Sequence, residues 1–216
     1  MATSDDLTIR FDKAENAIAT IIFAHGAGAN LDSEFITDFT ALLNQRQINV
    51  IRFNFPYMQQ RLIDGTRRPP NKMDVLVASY LARINQYNES LPLFIGGKSM
   101  GSRVAAMLTN EDKVNAVFCL GYPFHPQKKP EKLRLEPLQQ ANKSVLIIQG
   151  DRDALGNKDE IASYQLSDNI NVSFLEDGDH DLKPRVKSGF NHQQHKTSAA
   201  DLLCEFIKAQ LLTTKG

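Results

Sequence analysis

The sequence predicts an α/β domain built on a mainly parallel sheet of about six or seven strands, with helices on both faces. Three observations carry this reading. Short apolar, β-branched runs alternate with amphipathic segments along the whole chain of 216 residues, the order expected of strand-helix-strand units. The runs are apolar at successive positions, as in strands buried on both faces. Several of them end in turns rich in Gly, Asp and His, at the sheet edge where such folds collect their ligands.

Taken in order, Leu7 to Phe11 alternates weakly and reads as an edge strand. Ala17 to Ala24 is a β-branched strand ending at His25-Gly26-Ala27-Gly28. Residues 33 to 45 follow as a helix with Ser33 as N-cap and apolar positions at Phe35, Ile36, Phe39, Leu42 and Leu43. Ile48 to Phe53 is the next strand. Residues 57 to 71, with Arg67, Arg68, Pro69 and Pro70, read as irregular, and loops of this length are often functional. Asp74 to Tyr87 has helical spacing. Leu91 to Ile95 is a strand ended by Gly96-Gly97, and a helix runs on to about Asn110. Asn115 to Leu120, Ser144 to Gln149 and Asn171 to Leu175 are the remaining strands. Helical segments are expected near Leu133 to Gln140, at Lys158 to Gln165 and at Ser198 to Leu212. No repeat or linker divides the chain, so residues 1–216 read as one domain.

Bulk properties exclude several classes of function. Lys plus Arg and Asp plus Glu both number 25, which gives no electrostatic reason to expect nucleic acid or an anionic membrane. The N-terminus is polar and acidic, unlike a signal peptide. The longest strongly apolar run is about eight residues, against about 20 for a membrane span. Cys119 and Cys204 lie far apart in apolar and amphipathic contexts and read as core thiols, which points to a reducing, cytoplasmic setting. No Cys/His cluster has metal-ligand spacing, so neither metal nor cofactor is expected. Oligomeric state is left open.

The chemistry centres on Gly97-Lys98-Ser99-Met100-Gly101. Strand, Gly-bracketed turn, helix is the context in which a G-x-S-x-G match has meaning. A serine on so sharp a turn is strained, and the close approach of neighbouring chain requires the flanking glycines. A phosphate-binding loop is excluded, because its first Gly would fall where Pro92 stands. Ser99, Asp153 and His180 each follow a strand, at intervals of 54 and 27 residues. Ser99 would be the nucleophile, His180 its base, and Asp153 the carboxylate that orients and stabilises the imidazole. The Met100 N–H and an N–H near Ala27 would hold the oxyanion, with Gly26 and Gly28 allowing close approach. His25 reads as support for that loop. Asp151 is the rival acid, and Asp179 and Asp181 read as solvated turn residues. Tyr57, Lys98, Tyr122 and Phe124 are candidates to line a substrate pocket. Lys98, with Arg52, Arg67 or Arg103, raises the question of an anionic substrate.

With these residues on view, the chain resembles the α/β hydrolases, closest to the dienelactone-hydrolase-like branch. More narrowly it resembles the family grouping a testis-expressed protein with a subunit of a nuclear histone acetyltransferase complex. The HGAG turn, GGKSMGSR, QGDRD and DGDHDLK carry the likeness, over about residues 17 to 212. It implies an α/β-hydrolase fold and favours Asp153 over Asp151, although members of that branch need not be enzymes. Gly121 to Lys143, about 23 residues, is too short for a helical lid domain. A shallow cleft is expected, partly covered by residues 57–71 and 122–135. The reading is a serine hydrolase acting on a small ester or thioester through an acyl-enzyme. The alternatives are a non-catalytic interaction domain on the same scaffold, or acyl transfer or peptide cleavage at the same site.

Overall fold

The computed structural model describes residues 9 to 213. Leu7 and Thr8, at the start of the expected edge strand, lie outside them. Seven strands form one sheet: β1 (Ile9–Asp12), β2 (Ala19–Ala24), β3 (Ile48–Phe53), β4 (Leu93–Lys98), β5 (Val114–Leu120), β6 (Val145–Gly150) and β7 (Ile170–Leu175). Their spatial order is β1-β3-β2-β4-β5-β6-β7. Only β1 runs antiparallel, beside β3; the other ladders are parallel.

Why the apolar runs do not alternate is now plain. In β2, Ile22 and Ala24 enter the core on one face, while Ile21 and Phe23 enter the core on the other. Helices α1 (Glu34–Asn44) and α7 (His192–Thr213) cover the second face through Ile36, Phe39, Leu43, Leu203 and Ile207. Helices α3 (Met73–Gln86), α4 (Met100–Ala106), α5 (Glu136–Gln139) and α6 (Lys158–Ala162) cover the first, through residues such as Tyr80, Val104, Leu138 and Ile161. Helices on both faces of a largely parallel sheet leave the strand ends as the free edge.

Three expectations about elements are corrected. Residues 57 to 71 are not all irregular: α2 runs from Pro56 to Asp64. Pro56 stands in its first turn and Gly65 closes it with φ of 72°, the usual proline-start, glycine-stop pairing. Strand β4 does not stop at Gly96-Gly97 but continues to Lys98. Gly96 lies within the strand, and the position needs glycine because a Cβ there would lie 2.3 Å from the Phe118 ring. Helix α7 begins at His192, six residues before the expected Ser198. Between Gly121 and Lys143 the one helix is the four-residue α5. No helix among the described residues is long and apolar enough to cross a membrane. Cys119 and Cys204 are buried and unpaired with each other.

Candidate active site

Ser99 occupies the junction of β4 and α4 with φ 54° and ψ −115°, a conformation costly for a residue with a Cβ. The turn is held from both sides. A Cβ on Gly97 would fall 2.4 Å from the Gly101 carbonyl carbon, and one on Gly101 would fall 2.5 Å from the Ala24 carbonyl oxygen. Both glycines are there for space. The Ser99 N–H donates to the Leu120 carbonyl at 2.9 Å.

The three residues expected to act together are within contact. Ser99 Oγ lies 2.7 Å from His180 Nε2, and His180 Nδ1 lies 2.8 Å from Asp153 Oδ2. One tautomer satisfies both: Nδ1–H donates to the carboxylate and Nε2 accepts from the serine hydroxyl. Asp153 is fully buried. Its Oδ1 accepts the Leu155 N–H at 2.8 Å, and its Oδ2 also accepts from Gln149 Nε2 at 2.8 Å. Asp151, the rival acid, has its N–H on the Leu175 carbonyl and its carbonyl on the Lys158 N–H. The turns carrying acid and base are packed together, since a Cβ on Gly150 would meet the Gly178 carbonyl oxygen at 2.3 Å.

Gln149 joins this constellation although the sequence does not reveal it. It is buried at the end of β6. Its carboxamide accepts the Tyr122 N–H at 2.8 Å and donates toward the Tyr122 and Gly156 carbonyls at 3.2 and 3.0 Å. Nothing in a Q-G-D-R-D string marks a glutamine as the partner of the second aspartate.

His25 supports the loop after β2. Nε2 accepts the Phe55 N–H at 3.1 Å, and Nδ1–H donates to the Gly26 carbonyl at 2.8 Å. Both bonds need the neutral ring, and burial lowers its pKa from 6.5 to about 4. Tyr57 is buried and donates from its hydroxyl to the Ala27 carbonyl at 2.8 Å. It therefore braces the loop after β2 and does not line the cleft beside Ser99 as expected. The loop lies against the nucleophile turn: the Cβ position at Gly26 is 3.5 Å from Ser99 Cβ. The expected steric need for Gly26 and Gly28 is not met, because a Cβ on Gly26 makes only ordinary contacts and one on Gly28 meets nothing within 4 Å. Met100 opens α4, so its N–H is among the helix's unpaired N-terminal donors.

Lys98 is buried beside Ser99. Its Nζ donates to the His180 carbonyl at 2.7 Å and pairs with Asp181 at 3.1 Å. Burial pushes the ammonium below its ordinary pKa and Asp181 opposes that push. For Asp181, burial acts upward and Lys98 acts downward, with a net lowering. Asp181 is thus a partner of Lys98 rather than a merely solvated turn residue.

A cleft of about 630 Å³ contains Ser99 and His180. Gly26 to Ala29, Phe35, Lys98, Lys183 and His192 form much of its wall. Tyr122 and Phe124, expected there, are fully buried on the α3–α6 face of the sheet. Tyr122 donates to the Arg134 carbonyl, and Phe124 packs against Tyr164 and Gly156. After Gly121 the chain turns inward through His125, and none of residues 122–135 lines this cleft, so the expected cover by them is absent. The sequence marks Phe35 only as a core position of α1 and His192 only, with His125 and His195, as a rival of His180 for the base; nothing in it singles out Lys183. Among the described residues no cluster of His, Cys, Asp and Glu suits a metal ion.

A parallel sheet flanked on both faces, with a serine on the strand-helix turn beside a His–Asp pair, defines the α/β-hydrolase class. Solved structures agree on the fold. Dienelactone hydrolase from Anabaena variabilis superposes with a TM-score of 0.71 at 19% identity, over 93% of this chain and 90% of that one. Est1E from Butyrivibrio proteoclasticus, solved with ferulic acid, gives 0.69 at 15% identity, over 94% and 95%. XC6422 from Xanthomonas campestris, a serine hydrolase without a lid, gives 0.59 at 16% identity, over 80% and 79%. The chain belongs to the alpha/beta hydrolase domain family, whose model matches residues 17–208.

Proposed function

We propose that the protein is a serine hydrolase that cleaves a small ester or thioester through an acyl-enzyme. The observation that carries this is the unbroken contact from Ser99 Oγ through His180 to Asp153, at 2.7 and 2.8 Å, on a serine held at positive φ. Ser99 Oγ attacks the acyl carbonyl as His180 Nε2 takes its proton. Asp153 stabilises the resulting imidazolium, and the N–H groups of Ala27 and Met100 receive the oxyanion. The C–O or C–S bond then breaks, and Nε2 returns the proton to the departing alcohol or thiol. A water, deprotonated by the same nitrogen, attacks the acyl-enzyme; the acyl–Oγ bond breaks, Nε2 returns the proton to Ser99 Oγ and the acid is released. No cofactor is needed. The cysteine usage favours a cytoplasmic setting.

The test is labelling with a fluorophosphonate probe together with turnover of p-nitrophenyl esters and acyl thioesters. Labelling of the wild-type protein is expected, with none in Ser99→Ala and a loss of turnover of about 10⁴-fold or more. Equal labelling of both proteins would remove Ser99 as nucleophile. The likeness to the family of a testis-expressed protein and a histone acetyltransferase complex subunit raises the non-catalytic reading. Absence of both labelling and turnover is that reading's signature. Product analysis with added acceptor alcohols or amines separates hydrolysis from acyl transfer.

A further inference from the structure

The sequence posed the question of an anionic substrate with several cations in view, and the fold sorts them. Arg52 is buried in a bidentate pair with Asp12 and also pairs with Asp32. Arg103 lies toward Tyr122 and Arg134, on the other side of the sheet from the cleft. Lys98 is held by the His180 carbonyl and Asp181. Lys196, at the edge of the cleft, is paired with Asp38. Lys183 lines the catalytic cleft on the His180 flank. A second cleft of about 660 Å³ is walled by Arg61, Arg67, Arg68 and two prolines, and it meets the catalytic cleft at Ala27-Gly28. Asp64 neutralises Arg68 through two short contacts of 2.5 and 2.7 Å. No ion pair holds Arg61 or Arg67 among the described residues.

The position of Arg61 ties this cleft to the chemistry. It follows Tyr57 by one helical turn on α2, close enough for its charge to act on the Tyr57 hydroxyl. That hydroxyl holds the Ala27 carbonyl. The arginine cleft contains nothing from the His180 loop or α7. A leaving group takes its proton from His180 and so departs on that flank. A group in the arginine cleft therefore belongs to the retained acyl part, beyond the oxyanion loop. Guanidinium groups recognise planar or tetrahedral oxyanions through paired N–H donors.

Resting on the serine-hydrolase reading, we propose that Arg61 and Arg67 form an anion subsite, and that the substrate's acyl group ends in a carboxylate or phosphate-type anion.

The experiment compares kcat/KM for mono-p-nitrophenyl adipate and suberate with that for p-nitrophenyl hexanoate and octanoate, and adds a 6-phosphonohexanoyl ester to separate the two anion types. The anionic esters are expected to be favoured by roughly 10-fold or more, the worth of a hydrogen bond to a charged group. The ratio is expected to fall toward one in Arg61→Gln/Arg67→Gln, with folding checked by circular dichroism. A Lys187→Gln control, which removes an exposed charge elsewhere, is expected to keep the ratio. Binding of the adipate monoester to Ser99→Ala, by equilibrium dialysis in low and high salt, reads the subsite without turnover. Salt-sensitive binding that the double arginine variant loses supports the proposal. Equal ratios for charged and neutral esters, or a preference unchanged in the double variant, would overturn it while fluorophosphonate labelling stands. If labelling and turnover are both absent, the hydrolase reading fails and the dialysis result alone decides the subsite.

Discussion

At the scale of single residues, the candidate acid depends on a neighbour that carries no charge. Asp153 is sealed from solvent and accepts hydrogen bonds from the Leu155 N–H and Gln149 as well as His180. A buried carboxylate needs each of these donors. Gln149→Leu removes one and leaves the Tyr122 N–H without its acceptor. Turnover is expected to fall by roughly 10- to 100-fold, and stability by about 1–3 kcal/mol. Steady-state kinetics and urea unfolding on the same preparation check both. The candidate residues were legible because Ser, Asp and His follow strands in the order the α/β-hydrolase fold uses. Gln149 was not, because Tyr122 meets it only once β5 and β6 are paired, and no pattern in the string marks the turn that folds Asp153 and Gly156 back onto it. Tyr122 and Phe124 show the converse error: following a strand end does not decide which way the chain turns next.

At the scale of elements, glycines that look alike in sequence differ in purpose. Gly101 in α4 leaves no space for a methyl group, whereas Gly28 in the loop after β2 does. Alanine in a helix gains up to about 1 kcal/mol over glycine. A Cβ 2.5 Å from the Ala24 carbonyl oxygen meets rigid backbone, and forcing it in costs about 1–3 kcal/mol or shifts the turn. Gly101→Ala is therefore expected to destabilise and to reduce fluorophosphonate labelling. Gly28→Ala is expected to leave the unfolding free energy from urea titration within about 0.5 kcal/mol of wild type. Strands β2 to β6 were legible from their apolar runs, because burial on both faces is written directly in composition; β7, half-exposed at the sheet edge, was legible from its shorter run and the Gly/Asp turn after it. Helix α2 was obscured by the Arg- and Pro-rich residues just beyond it, although Pro56 and Gly65 bracket it. The early start of α7 was hidden by the polar stretch His192 to Lys196, whose His195 is nonetheless buried with Nδ1 on the Leu182 carbonyl.

At the scale of the whole molecule, formal charge balances at pH 7, so stability near neutrality follows particular groups rather than overall repulsion. His25 is one such group, joining the ends of β2 and β3. Its pKa is about 4 in the folded chain, against 6.5 for a solvated histidine side chain. The unfolded chain takes up this proton as pH falls below 6.5, while the folded chain resists until about 4. The contribution is complete above 6.5 and is lost on acidification toward 4, with a size of about 3 kcal/mol. Urea unfolding at about pH 7 and about pH 4.5 is expected to show that loss, and His25→Gln is expected to flatten it.

The Gln149 side chain has one more consequence. The β5–β6 ladder has four paired positions, ending at Leu120 and Ile148, whereas β6–β7 has six. The Gly121 N–H reaches Ile148, and then β5 has no further strand partner. At that point the carboxamide takes over as a substitute peptide unit, giving and receiving one bond with the main chain of Tyr122. This short ladder is the suture between the half of the protein that carries Ser99 and the half that carries Asp153 and His180. A side chain, rather than backbone, closes its last stitch. The register between the two halves thereby rests on four backbone positions and on one side-chain amide that extends them.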